Sequence, residues 1–190
     1  MGRSAGDQQC DEEADLLGRV AARDRLAFER LYRIYFPRLT RFLHRMTRSP
    51  TLIEEIVNDT MLVVWQKAAS FDGSCRISTW VFAIAYRKTC KALHGFDEPL
   101  ESLDEAREGE ACWQPEWQFE QQSLREAVDA ALAALPLEQR AVFQLTFYHD
   151  MGYAEIADIM ECPVNTVKTR LFHARRRLGL LLGPQLECRP

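Results

Sequence analysis

The chain has 190 residues, 47% of them apolar and 27% charged, with a formal net charge of −4 at pH 7. This composition is typical of a globular chain that forms one domain or two small ones. The sequence lacks the roughly 18 uninterrupted apolar residues that a membrane span requires. Its first residues are polar and acidic rather than signal-like, so we expect a cytoplasmic protein.

The charge is distributed unevenly along the chain. Residues 15–50 contain nine basic and three acidic residues, whereas residues 95–120 contain nine acidic and one basic residue. Screening confines the field of each patch to about 8–10 Å, so local potential rather than net charge decides whether an anion binds. The overall acidity therefore does not exclude a nucleic-acid partner.

Residues 11–94 have apolar residues at helical spacing, after an arm at residues 1–10 that we expect to be disordered. The first helix with a clear pattern has Leu26, Phe28, Leu31, Tyr32 and Tyr35 at helical spacing, and Pro37 is expected to restart the chain. Ser49 is a candidate N-cap for a helix that reaches residue 70. After a break at residues 71–74, a last helix over 76–93 carries Trp80, Val81, Ile84 and Ala85. No alternating strand pattern is evident.

Residues 95–120 predict an acidic, flexible linker, because they contain prolines, glycines and many carboxylates without periodicity. Such a segment usually serves only to solvate the chain. The alternative is that it mimics nucleic acid in a basic channel of a partner.

Residues 121–190 predict a second helical unit that contains a helix-turn-helix. Residues 153–160 and 164–182 each have one apolar face, and Pro163 lies at the turn between them. The second of these helices has five basic residues and no acidic one, which is typical of a recognition helix in the DNA major groove. The alternative is an ordinary solvated basic face. The sequence therefore predicts an all-α fold of two small helical domains, 11–94 and 121–190.

Two blocks of sequence carry a resemblance to a known family. Residues 56–65, 70–73 and 78–80 resemble the N-terminal domain of bacterial sigma factors of the extracytoplasmic-function (ECF) group, and residues 134–140 and 164–175 resemble their C-terminal domain. The resemblance implies a protein that binds the β′ and β subunits of core RNA polymerase, recognises promoter DNA and assists its melting. It also implies no cofactor, no small-molecule substrate, and an anti-sigma factor that is membrane-bound in some members.

The resemblance assigns the candidate site residues. Those for core polymerase are Asn58, Asp59, Leu62, Trp65 and Gln66. Those for the minus-ten element are Phe71, Asp72, Gly73, Ser74, Cys75, Arg76, Trp80, Tyr86, Arg87, Lys88 and Lys91. Those for the minus-thirty-five element are Asn165, Thr166, Lys168, Thr169, Arg170, Phe172, His173, Arg175 and Arg176.

The chain departs from the family pattern at three places. Asn58-Asp59 replaces a Gln-Glu pair, Tyr86-Arg87 replaces an Arg-Asn pair, and His173 stands where arginine is common. The first change keeps the chemistry on shorter side chains. The other two put the upstream-base preference and one major-groove contact in question.

Other functional classes have little support in the sequence. The six cysteines include no Cys-x-x-Cys pair, so we expect no metal site. There is no phosphate-binding glycine loop, Gly-x-Ser-x-Gly or paired-histidine helix, so we expect no enzyme. The remaining alternatives are a stand-alone helix-turn-helix regulator, which would need neither Asn58–Trp65 nor Phe71–Cys75, and an RNA-binding antiterminator.

Overall fold

The computed structural model describes residues 5–94 and 127–187, and every regular element in those ranges is helical. The helices are α1 (Ala5–Ala21), α2 (Arg25–His44), α3 (Pro50–Lys67) with a 3-10 turn at Ala68–Ser70, α4 (Ile77–His94), α5 (127–133 in the described part), α6 (Leu137–Phe147), α7 (Tyr153–Met160) and α8 (Val164–Glu187). This confirms the all-α prediction. The linker expected at residues 95–120 lies outside the described residues. Within the described ranges, no helix is both long and apolar enough to cross a membrane.

The N-terminal arm expected at residues 1–10 was wrong for residues 5–10, which form the first turns of α1. The helix is anchored farther along by Leu16, Leu17 and Val20, which are buried. Glu13 is also buried, accepts a hydrogen bond from the Tyr35 hydroxyl at 2.5 Å, and pairs with Arg38 at 3.2 Å. The sequence did not predict these first turns because residues 5–10 are polar or small, and the buried residues that anchor α1 lie farther along the helix.

The break expected at Pro37 was also wrong, because α2 continues through it to His44. Proline removes one backbone donor from a helix interior and usually costs about 3 kcal/mol. The last two turns offset this cost by burying Leu39, Phe42 and Leu43 completely.

The N-caps of α2 and α3 are side chains that accept hydrogen bonds from the first turn of the helix. Asp24 accepts from the backbone N–H groups of Leu26 and Ala27, and Ser49 caps α3 as predicted.

The two groups of helices pack against each other in the described residues. Helix α4 packs against α3 on one side and α7 on the other, and residues 81–86 of α4 are all buried. One continuous apolar core contains side chains from α1–α4 together with those of α6, α7 and α8. The sequence did not predict that the two groups would meet.

The clearest contact between the groups is His149, which lies beside the rings of Phe42 and Phe82 at centroid distances of 5.9 and 4.7 Å. Burial, together with the charges of Arg38, Arg41 and Arg45, lowers the pKa of His149 from 6.5 to about 4. The imidazole is therefore neutral in the folded protein near pH 6.

A pH dependence of stability follows from this pKa. Well above pH 6.5 His149 is neutral in both the folded and the unfolded chain, so its titration does not affect stability. As the pH falls towards 4, the unfolded chain takes up the proton first. By pH 5 this decreases the free energy of unfolding by about 2 kcal/mol at most. Urea unfolding at pH 7.5 and 5.0 measures this decrease. His149→Gln should remove it, whereas His44→Gln, at an exposed histidine, should retain it. An undiminished decrease in His149→Gln would contradict the assignment.

Candidate functional site: polymerase and DNA surfaces

Helix α3 presents the residues assigned to core polymerase on its outer face. Asn58, Asp59 and Gln66 are exposed, Leu62 is 50% exposed, and Trp65 is half-buried. They lie outward because the stripe Ile53, Ile56, Val57, Thr60, Met61 and Val64 is buried against the rest of the core. The five residues thus form one continuous ridge.

Helix α2 contributes a second wall that the sequence analysis did not assign to any binding surface. Phe28 and Tyr32 are only partly buried and Leu26 is 69% exposed, although all three share the helical spacing of the buried residues Leu31 and Tyr35. The Phe28 ring contacts Trp65 edge-on at 5.1 Å, and the Tyr32 hydroxyl donates to Asn58 Oδ1 at 3.0 Å. Aromatic residues at positions 28, 32 and 36 were the signal, because this spacing marks a stripe without saying whether it is covered.

Together the two helices form an open apolar groove of about 490 Å³, which we call the α2–α3 groove; its lining residues are Arg25, Phe28, Tyr32, Asn58, Met61, Leu62 and Trp65. Exposed apolar surface bordered by polar residues is typical of a protein-binding site. A groove between two helices can accept the apolar face of an amphipathic helix from a partner.

Phe71, Asp72, Gly73, Ser74 and Cys75 form an ordered loop between α3 and α4. The Phe71 ring packs on Trp80 at 5.2 Å, and the backbone N–H of Ser74 donates to Asp72 Oδ1 at 2.9 Å. Hydrogen bonds from Ser74 lower the pKa of Asp72, so the carboxylate is ionised. Gly73 has φ +72°, a conformation that glycine adopts without strain. Burial raises the pKa of the Cys75 thiol. The loop therefore presents a fixed set of polar groups at the surface.

The cations assigned to the minus-ten element are mostly paired within the protein. Lys88 donates to Asp59 at 2.7 Å, and so connects this set with the core-polymerase ridge. Arg76 lies 3.6 Å from Glu155, and Arg87 lies 2.5 Å from Glu161. Lys91 is exposed.

Tyr86 differs from the other residues assigned to the minus-ten element because it is buried. Its side chain is 8% exposed. Burial raises the pKa of its hydroxyl far above the usual value, with Cys90, Glu138 and Arg170 nearby. The second group of helices covers that face of α4, so the contact with DNA assigned to Tyr86 stays a prediction and requires this packing to open.

Helix α8 presents the residues assigned to the minus-thirty-five element on a single exposed face. Val167, Leu171, Ala174 and Leu178 bury the opposite face. The exposed residues are Asn165, Lys168, Thr169, Phe172, His173, Arg175 and Arg176, whereas Thr166 is half-buried. Phe172 is 61% exposed and touches His173, so an aromatic ring stands free beside the cations. This arrangement suits insertion into the major groove.

Arg170 is an exception on α8. It lies 2.7 Å from Glu138 of α6 and 3.6 Å from the Cys162 sulfur, with its side chain 22% exposed. An arginine held this way fixes the angle between α6 and α8. Its assignment as a phosphate contact requires the Glu138 pair to open.

Comparisons with known proteins identify relatives that match both groups of helices. Residues 31–95 match the family model for sigma-70 region 2, and residues 125–178 match that for sigma-70 region 4. The ECF RNA polymerase sigma factor RpoE of Cereibacter sphaeroides is 32% identical over 158 residues, 82% of this chain and 86% of that protein.

Two solved structures share the fold. CnrH, in complex with the cytosolic domain of CnrY, has a TM-score of 0.68 and 21% identity, and the match covers 91% of this chain and 98% of that one. The sigma factor RpoE of Bartonella quintana, in complex with the anti-sigma factor NepR, has a TM-score of 0.58 and 24% identity, over 82% and 96% of the two chains. The chain belongs to the ECF family of RNA polymerase sigma factors.

Proposed function

We propose that the chain binds core RNA polymerase through the α2–α3 groove, holds the minus-ten element with the Phe71–Cys75 loop and α4, and reads the minus-thirty-five element with α8. The observation that carries the proposal is the presence of an exposed apolar groove and a separate cationic helix on the same chain. The groove suits a protein partner and the helix suits DNA. A protein that recruits a polymerase to promoters needs both.

The chemistry of this function consists of binding alone. The energy from the two surfaces is used to position the polymerase and to stabilise unpaired DNA, and unpairing a flexible step costs only a few kcal/mol. We infer that the chain performs no covalent catalysis, and that it works in the cytoplasm, where polymerase and chromosome meet. We also propose an anti-sigma partner, in view of the NepR complex of the Bartonella protein.

A stand-alone helix-turn-helix regulator is the competing function. Such a protein needs α8 but has no use for an aromatic groove on α2 and α3 or for the loop at Phe71–Cys75. Run-off transcription from a genomic library, with added bacterial core polymerase, tests the choice. Initiation at discrete sites supports the proposal. DNA binding without any initiation would contradict it and favour the regulator.

Lys168 provides a test of sequence reading by α8. Its ammonium group is exposed on the recognition face and can donate to guanine acceptors. Lys168→Ala should weaken binding to the preferred minus-thirty-five element by about 1–3 kcal/mol and relax base preference there. Arg176→Ala is the control, because a phosphate contact weakens binding to all sequences alike. Binding assays on a base-substituted promoter series measure both. A uniform loss for Lys168→Ala would overturn its base-reading role.

A further inference from the structure

Two carboxylates, one in α7 and one in the turn after it, pair with two arginines that are assigned to DNA, one just before α4 and one within it. Glu161 accepts from Arg87 at 2.5 Å. Glu155 lies 3.6 Å from Arg76 and accepts a hydrogen bond from the Thr79 hydroxyl at 3.3 Å. A carboxylate and a phosphate compete for the same guanidinium donors. Arg76 and Arg87 therefore cannot hold both α7 and a DNA strand.

The position of Glu161 is unusual for its residue type. It lies in the turn of the helix-turn-helix with φ +51°, in the left-handed region where glycine is favoured. Glutamate is strained there. A strained residue that makes a specific contact points to a role for the contact.

The ion pairs lie at the edge of a larger contact between the two groups of helices. His149 packs beside Phe42 and Phe82, and the Arg140 guanidinium donates to the backbone carbonyls of Arg45 and Met46 at 3.3 Å. Arg45 in turn lies 3.6 Å from the centre of the Tyr148 ring. Exposed ion pairs alone would hold little, but the apolar and hydrogen-bonded contacts keep α7 on α4.

The two DNA surfaces differ in this arrangement. The recognition face of α8 is exposed, including Phe172 and Lys168. On the minus-ten side Tyr86 is buried, and Arg76 and Arg87 are exposed but paired with Glu155 and Glu161. A closed chain thus presents α8 to double-stranded DNA while Arg76 and Arg87 remain paired with the second group of helices.

We propose that α7 and the turn after it form an intramolecular inhibitor of this sigma factor: Glu155 and Glu161 pair with the phosphate-binding residues Arg76 and Arg87 until the C-terminal helices move away. The inference rests on the proposed function of α4. Its direct measurements use the free chain, without polymerase, so a failure to initiate transcription would overturn the proposed function and leave these results standing.

The first experiment measures binding of a fluorescein-labelled, random-sequence single-stranded 20-mer by the full chain. The double variant Glu155→Gln/Glu161→Gln should bind more tightly than wild type. Two released arginines should also make the slope of log K against log salt more negative by about 1.4. Glutamine at 155 can still accept from the Gly152 N–H, as Glu155 does, so the helix start is retained. Glu161→Gly removes the same contact and relieves the backbone strain, which guards against misfolding.

The control is Glu12→Gln/Glu29→Gln, which removes the same charge from two exposed ion pairs with Arg30 and Arg33, within the first group of helices. A second control places the α7 substitutions in an Arg76→Ala/Arg87→Ala background, where the gain should vanish. A gain no larger than that of the first control, or one that persists in the second, would overturn the inference.

The second experiment tests closure itself. His149→Lys places a cation beside Arg38, Arg41 and Arg45 and should separate the two groups of helices. His44→Lys makes the same change at an exposed site. Small-angle scattering should give wild type and His44→Lys the same radius of gyration, and a larger one for His149→Lys with its helical circular dichroism retained. An unchanged radius in a folded His149→Lys, with the single-strand affinity of His44→Lys, would contradict a closed resting state.

Discussion

Replacing Leu62 with aspartate should weaken binding to core RNA polymerase at least about 100-fold, equivalent to roughly 3 kcal/mol. Leu62 is 50% exposed and lies at the edge of the α2–α3 groove. A partner helix in the groove would bury this side chain, and an unpaired carboxylate in its place would lose its hydration without compensation. Because the leucine is half-exposed in the free chain, the substitution should leave the fold intact. Titration with core polymerase, alongside circular dichroism, measures both.

Leu180→Asp is the matched control for this experiment. Leu180 lies on α8, is 72% exposed and has no assigned role, so the same chemical change there should leave core binding within about threefold of wild type. Equal affinity of Leu62→Asp and Leu180→Asp for the polymerase would exclude the α2–α3 groove as its docking surface.

The individual helices were predictable from the sequence because each carries its own periodicity and caps. The spacing of Ile53, Ile56, Val57 and Val64 on α3, with Ser49 ahead of them, is local information and gave the correct inward face. Pro37 misled because a local rule was outweighed by burial farther along the same helix. Leu26 shows the limit of the spacing rule: it lies at helical spacing but is 69% exposed, since an apolar residue at helical spacing need not be covered.

The packing of α4 against α7 could not be predicted in the same way. Six consecutive apolar residues at 81–86 did carry a signal, because a helix that is apolar on all sides is buried on all sides. That signal shows that a second partner exists but not which segment it is. The pairing of Arg87 with Glu161 joins residues 74 positions apart, and no spacing rule connects them. The sequence therefore identified the candidate DNA residues without revealing that two of them are occupied.

Arg140 joins the ends of two helices, and this gives the largest stability effect we expect. Its guanidinium donates to the carbonyls of Ala133 and Leu135, at the end of α5, and to those of Arg45 and Met46, at the end of α2. The last carbonyls of a helix have no partner in the helix and carry partial negative charge, so one cation satisfies both ends. Burial, with a contribution from Arg48, lowers the pKa of Arg140, but arginine remains charged at neutral pH.

Arg140→Ala should therefore decrease the free energy of unfolding by about 3 kcal/mol, because hydrogen bonds to a charged group are lost and half-buried carbonyls are left without partners. Arg140→Lys should recover only part of the loss, since a single ammonium group cannot reach four carbonyls on two helices. Arg177→Ala, at an exposed position of α8, should change stability by less than about 0.5 kcal/mol. Urea unfolding of the four proteins at one pH measures these differences. Arg140→Ala should also increase the radius of gyration measured by small-angle scattering, because two of the lost hydrogen bonds hold α2 to the second group of helices. If stability falls while the radius of gyration stays that of wild type, Arg140 supports only the join between α5 and α6, and the closed state depends on His149 and the α4–α7 contact.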